Sequence, residues 1–314
     1  MADTSDLGRG RVVVITGAAG GIGRGEALAF ARHGFRVVVN DLGTDRAGEH
    51  RRSDPAEQLV AEIRAAGGEA IANGEDVADF DGARRVVDAA LAEWSRLDVV
   101  VNNAGILRDR TLANMTIEEW DSVIRVHLRG TFCMSRHAAA HWRDLAKTGT
   151  EIDARMINTT STSGIFGNTG QVNYGTAKAG IALMTIVASQ ELARYGVKVN
   201  AIAPLAHTRM TDDRPVGDGS RRIHEEDPNA FNPYDPENVA PIVVWLAGDA
   251  AREVTGRVFD VRGGVVRVLE PWTRGPEADK GARWEVAELD AVVPDLLRQA
   301  RPVETLKSNP GTAV

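Results

Sequence analysis

Residues 11–23 read RVVVITGAAGGIG, and they narrow the possible folds more than any other stretch. A β-branched apolar run at 11–16 leads straight into glycines spaced G-x-x-x-G-x-G (Gly17, Gly21, Gly23), and a helical pattern follows over 22–33. A strand that feeds a helix through so short a turn is a βα unit. Its glycines permit a tight turn and close backbone approach. The following helix N-terminus then offers free amides and a positive dipole end to a pyrophosphate. The spacing is not G-x-G-x-x-G, so this is a different dinucleotide loop. Gly17, Gly21, Ile22 and Gly23 are the first candidate cofactor contacts.

The unit then repeats. Strands are expected at 36–41, 69–76, 97–105, 154–161, 197–203 and 256–264, with helices at 56–66, 79–95, 174–196 and 237–248. Another helix runs from a capping box at Thr116 and Glu119 to about Leu145. Continuous apolar strands alternating with helices predict an α/β fold: a Rossmann-like, doubly wound parallel sheet of about seven strands with helices on both faces. Residues 1–270 form one dinucleotide-binding domain. Residues 205–235, rich in Asp, Pro and Arg, read as a lid. Residues 271–314 read as a partly mobile C-terminal extension with one amphipathic patch, ELDAVVPDLLRQA. Asp41 ends the second strand. An acid there can accept both ribose hydroxyls of NAD and repels a 2′-phosphate, so NAD is the expected cofactor.

Composition removes several classes. A formal charge of −7 and a pI near 5.6 do not favour nucleic acid or an anionic membrane surface. Cys133 is the only cysteine, so no intrachain disulfide is possible. The first residues lack a signal peptide's apolar core, and no run of eighteen apolar residues occurs. A cytoplasmic protein is the expectation. His137 and His141 (HAAAH) have metal-ligand spacing but no third ligand nearby, so no metal is expected.

Tyr174 and Lys178 lie four apart in NYGTAK. On a helix that spacing stacks them on one face, as it would on any solvated helix surface. With TGAAGGIG, NNAG (102–105) and a serine at 161, however, the chain resembles the short-chain dehydrogenases/reductases over roughly residues 10–265. The resemblance makes Tyr174 the general acid/base, Lys178 the residue that lowers its pKa and binds the nicotinamide ribose, and Ser161 the hydroxyl that orients the reacting oxygen. A phenol near pKa 10 is otherwise a poor base at neutral pH. By the same matching, Asp76 and Val77 contact adenine, Asn103 and Ala104 of the NNAG turn pack beside the cofactor, and Pro204 and Thr208 meet the carboxamide.

Two departures stand out. His127 replaces the asparagine that usually anchors a proton-relay water, and a buried, satisfied histidine is the other reading of it. Pro204-Leu205 replaces the usual Pro-Gly, with Thr208 one residue early. The segments VVVNDLG, NNAGILRDR, RVHLRGTF and GNTGQVNY most closely resemble the (3R)-hydroxyacyl-CoA dehydrogenase module of peroxisomal multifunctional β-oxidation enzymes and its standalone bacterial relatives. That resemblance implies an acyl-CoA substrate and a homodimer or homotetramer built on the helices near 116–145 and 174–195. Arg108, Arg110, Arg209 and Arg214 are candidates for its phosphates. A hydroxysteroid dehydrogenase, a 3-oxoacyl-carrier-protein reductase and a nicotinamide-binding sensor without turnover are the rival readings.

Overall fold

The computed structural model describes residues 7–43, 55–208, 230–270 and 272–306. Two compact units divide at Leu269 and Glu270. The first is built on a single sheet whose strands, in spatial order, are β3 (Glu69–Asn73), β2 (Arg36–Asn40), β1 (Val12–Thr16), β4 (Val99–Asn102), β5 (Ala154–Thr159), β6 (Val197–Pro204), β7 (Val258–Arg262) and β8 (Val265–Leu269). All neighbours are parallel except β7 and β8. The sheet therefore has eight strands, not about seven. The additional one is an antiparallel edge, joined to β7 through Gly263 and Gly264.

The valine runs have a direct cause. Strands buried on both faces need apolar residues at every position, and β1 is buried at all five. Val13 and Ile15 pack on one face with Phe30 of α1 (Gly21–Arg32), Leu59 and Ile63 of α2 (Pro55–Ala65), and Val243. Val12 and Val14 pack on the other face with Val86 of α3 (Phe80–Trp94), Met134 and Trp142.

The helix expected from Thr116 to about Leu145 is interrupted. The capping box is present, and α4 spans Ile117–Ile124. Residues Arg125–Arg129 then form a π-turn before α5 (Gly130–Lys147). A short α6 (Thr162–Phe166) precedes α7, which starts at Val172 rather than 174 and runs to Leu192. The helix α8 spans Ala240–Ala247. In the second unit, α9 (Val286–Gln299) has no buried residue. The expected lid lies for the most part outside the described residues. No described helix is long and apolar enough to cross a membrane.

Glu26 of α1 is fully buried, and neither carboxyl oxygen has a hydrogen-bond partner. Burial raises its pKa to about 8. The folded state thus holds a proton that the unfolded chain releases near pH 4.5, so stability falls as pH rises from about 4.5 to about 8. Glu26→Gln should remove that slope and raise stability at pH 8 by up to about 5 kcal/mol. Melting curves from pH 5 to 9 check it; parallel profiles for both proteins would refute it.

Candidate functional site

The order β2-β1-β4-β5 places the chain's reversal between β1 and β4. In open α/β sheets the crevice beyond the strand ends at that point receives the ligand. Here the glycine loop and the NNAG turn meet. Gly17 has φ of +64°, and a Cβ on it would lie 2.8 Å from Ala104 Cα. A Cβ on Gly23 would lie 2.3 Å from the Gly17 carbonyl oxygen. The Asn103 side chain donates to the carbonyls of Thr16 (3.0 Å) and Gly17 (3.1 Å), while the Thr16 hydroxyl accepts from the amides of Asn103 and Ala104. The two turns thus lock together through positions that admit no side chain.

Whether a dinucleotide fits can be read from the helix start. The N-cap of α1 is Gly20, with no capping side chain and no acid in the first turn. Its first-turn amides thus lack a capping side chain among the described residues, a condition that suits an anion site. Ile22 packs partly against the core beneath. Thr208 reaches this loop, its methyl 3.1 Å from where a Gly21 Cβ would stand. Pro204 ends β6 at the same edge. Asp41 braces the loop, with Oδ2 accepting from the Ala19 amide (2.9 Å) and Oδ1 from the Gly43 amide (2.7 Å).

The adenine-side residues have local partners too. Asp76 Oδ1 accepts from the Ala78 amide (2.8 Å), and Oδ2 is paired with Arg125 at the start of the π-turn. Val77 is buried against Gly130 at the turn's other end.

Lys178 is 3% exposed, and its Nζ donates to the Thr159 carbonyl at 2.6 Å. In return the Thr160 hydroxyl donates to the Lys178 carbonyl, also at 2.6 Å. A Cβ on Gly164 would fall 2.7 Å from Lys178 backbone and side-chain atoms. These contacts bring the serine segment against the Tyr–Lys face of α7. Burial lowers the Lys178 pKa to about 7. The Nζ lies 5.5 Å from the Tyr174 ring centroid. Ser161 caps α6, and its Oγ accepts from the Ser163 amide at 3.1 Å. Accepting there leaves its own proton to donate elsewhere. Thr159 Oγ1, buried beside this seam, has no partner.

His127 is 1% exposed. Its Nε2 faces the Ile106 backbone, 2.8 Å from the carbonyl and 3.1 Å from the amide, and its ring meets the Tyr174 ring edge-on at 5.1 Å. Nδ1 is buried without a partner. Burial, then the Lys178 charge, push its pKa down to about 3, against the opposing bond to Ile106, so the ring is neutral. Only glycine fits at 105, since a Cβ there would lie 2.3 Å from His127 Cε1.

Among the arginines considered for phosphates, Arg110 is ion-paired with Glu119 at 3.0 Å. Arg209 and Arg214 lie outside the described residues. His137 Nε2 sits 2.9 Å from the Phe80 carbonyl. A cleft of about 650 Å³ opens beside the start of α7, lined by Asp109, Arg110, Thr111, Asn114 and Gly170.

Sequence reasoning missed two amides. Asn173, fully buried, donates to the carbonyls of Arg108 (2.8 Å) and Glu119 (3.0 Å) and accepts from the Tyr174 amide (2.7 Å). Gln171, 2% exposed, ties the serine segment to Asp109. Each sits in a polar run whose partners are distant in sequence, so neither leaves a periodic signal.

A family model described as enoyl-(acyl carrier protein) reductase matches residues 17–266. The hydroxyacyl-CoA dehydrogenase ChsB1 of Mycobacterium tuberculosis is 42% identical over 310 residues, covering 98% of this chain and 94% of that protein. The peroxisomal multifunctional enzyme type 2 of Mus musculus is 42% identical over 265 residues, which are 84% of this chain and 33% of that protein. A crystal structure of a short chain dehydrogenase from Mycobacterium avium superposes with a TM-score of 0.84 at 50% identity, covering 96% of this chain and 98% of that one.

Proposed function

The chain belongs to the short-chain dehydrogenases/reductases, oxidoreductases that act on CH–OH groups with a nicotinamide cofactor, and from that premise we propose that it oxidises a 3-hydroxyacyl-CoA to the 3-oxoacyl-CoA with NAD. The observation that carries the reading is the seam between the serine segment and α7, in which Lys178 Nζ donates to the Thr159 carbonyl and the Thr160 hydroxyl donates to the Lys178 carbonyl. The two relatives named for hydroxyacyl-CoA and peroxisomal multifunctional chemistry support the substrate class.

In this reading the glycine loop (Gly17, Gly21, Ile22, Gly23), Asp41, Asp76, Val77, Asn103, Ala104, Pro204 and Thr208 hold the dinucleotide. NAD, when bound, supplies the hydride acceptor. Tyr174 takes the alcohol proton at its phenol oxygen. The Lys178 ammonium favours the phenolate by its charge. Ser161 donates a hydrogen bond to the reacting oxygen and orients it. His127 stays neutral. With Nε2–H on the Ile106 carbonyl, Nδ1 is an acceptor able to hold a relay water where the family has asparagine. Asp41 carries the preference for NAD, because a 2′-phosphate would face its carboxylate.

The test is absorbance at the reduced-nicotinamide band. NAD and NADP are each offered (3R)- and (3S)-hydroxyacyl-CoAs, beside hydroxysteroids and simple secondary alcohols. Turnover of one hydroxyacyl-CoA enantiomer with NAD is expected. Turnover of steroids alone would move the substrate class, and a preference for NADP would overturn the role given to Asp41.

We also assign the protein a cytoplasmic setting and a homodimer or homotetramer built on α5 and α7. Their outer faces expose Phe132, Leu183 and Val187 at 50%, 62% and 44%, more apolar surface than a helix face usually leaves in water. Light scattering should give a mass at least twice that of the chain; a monomer at micromolar concentration would refute the assembly.

A further inference from the structure

Gln171 is the residue immediately before α7, three positions ahead of Tyr174. Its side chain is 2% exposed and every polar atom is used. Oε1 accepts from the Ser163 hydroxyl and from Asn168 Nδ2, both at 2.9 Å. Nε2 donates to both Asp109 carboxylate oxygens, at 3.1 and 3.2 Å. The backbone joins in, since Arg110 forms a parallel bridge with Gln171 and donates its amide to the Gly170 carbonyl at 2.8 Å. One side chain therefore fastens three segments that the sequence keeps apart: the loop after β4, the serine segment and the start of α7.

The path to the reacting groups is short. Ser163, held by Gln171, donates its amide to Ser161 Oγ. On the other side, the helix that Gln171 opens carries Tyr174 in its first turn. The Ser163–Gln171 bond is buried, where an unpaired partner left behind is costly.

We infer that Gln171 is a positioning residue for the reaction. Anchored on Asp109, it sets Ser161 against Tyr174 through Ser163. The inference rests on the oxidoreductase reading for what Ser161 and Tyr174 do, but the clamp itself can be measured without a substrate. Gln171 touches neither reacting group directly. It acts by keeping Ser161 Oγ occupied as an acceptor on the Ser163 amide, so that its proton points outward.

Three variants test this: Gln171→Met, Gln171→Glu, and the double exchange Gln171→Glu with Asp109→Asn. The exchange restores an amide–carboxylate pair with its sense reversed and keeps an acceptor for Ser163. Hydrogen exchange of full-length protein is read first. In Gln171→Met the peptides covering 161–166 should exchange at least tenfold faster, while those covering α1 stay unchanged. Turnover is then read with any secondary alcohol that the wild type oxidises, whether or not it is an acyl-CoA. In Gln171→Met kcat should fall about 30-fold with the Kd for NAD changed less than twofold, and the exchange should return kcat to within about fivefold of wild type. Unchanged exchange at 161–166, kcat within twofold of wild type, or a double exchange no better than Gln171→Glu alone would each overturn the clamp. Failure of every hydroxyacyl-CoA as substrate, with these effects intact on another alcohol, would count against the substrate class alone.

Discussion

Tyr174→Phe should lower kcat by about 10³-fold or more, within the usual range for removing a general acid/base, and leave the Kd for NAD within twofold. The reason is local. Phenylalanine keeps the ring that meets His127 edge-on at 5.1 Å and fills the same space in α7. Only the oxygen proposed to exchange the proton is lost. The glycine loop is held by Asn103, Thr16 and Asp41, none of which depends on Tyr174. Stopped-flow turnover beside a fluorescence titration of NAD separates the two effects. Turnover within tenfold of wild type would remove Tyr174 from the chemistry, and a lost cofactor affinity would mean the change is structural.

Lys178→Met should produce two effects of opposite sign. Turnover should fall by about 10²- to 10³-fold, because no charge remains to favour the phenolate. Stability should rise. Burial holds the Lys178 pKa near 7 against 10.5 for the free side chain. Between those values the folded protein binds fewer protons than the unfolded chain, so wild-type stability climbs with pH from about 7 to about 10.5, and at pH 7 and below the full cost of charging the buried amine is present. That cost is about 5 kcal/mol at most. Methionine removes it and leaves the Thr159 carbonyl unpaired, a loss of about 1–3 kcal/mol. The net gain should be at most about 2–4 kcal/mol at pH 6–7, seen as a melting temperature several degrees higher, and towards pH 10.5 it should reverse to a loss of about 1–3 kcal/mol, because only the missing hydrogen bond then remains. A variant that melts lower than wild type at pH 6 would show that Lys178 is not strained by burial. The slope is the reverse of that expected for Glu26, so the single and double variants identify each contribution.

Together these two effects would mark the proposed site as one that gives up stability for chemistry. A buried lysine on a single carbonyl, a neutral histidine with one free nitrogen and a partnerless Thr159 hydroxyl lie within one seam. Natural proteins break local rules at functional sites in this way.

Much of this was legible in the residues. Short β-branched runs without alternation, bounded by glycines and alternating with helical patterns, fit strands covered on both faces, so the parallel sheet and its helices followed from pattern. The glycine loop is local in sequence and could be read from its spacing, whereas the Tyr–Lys pair gained its role only from the resemblance carried by the other motifs. The edge strand β8 was missed although Gly263 and Gly264 between two β-branched runs signal a hairpin; its half-exposed valines resemble those of a tail. The π-turn at Arg125–Arg129, whose His127 packs against Gly105, has no sequence signature. The protonation of Lys178 and His127, and the anchoring of Ser161 through Gln171 and Asp109, depend on groups brought together from positions 100–180. Motifs matched to the family nominated which residues could do the chemistry. Desolvation and long-range hydrogen bonds, which exist only once the chain is folded, decided their charge and aim.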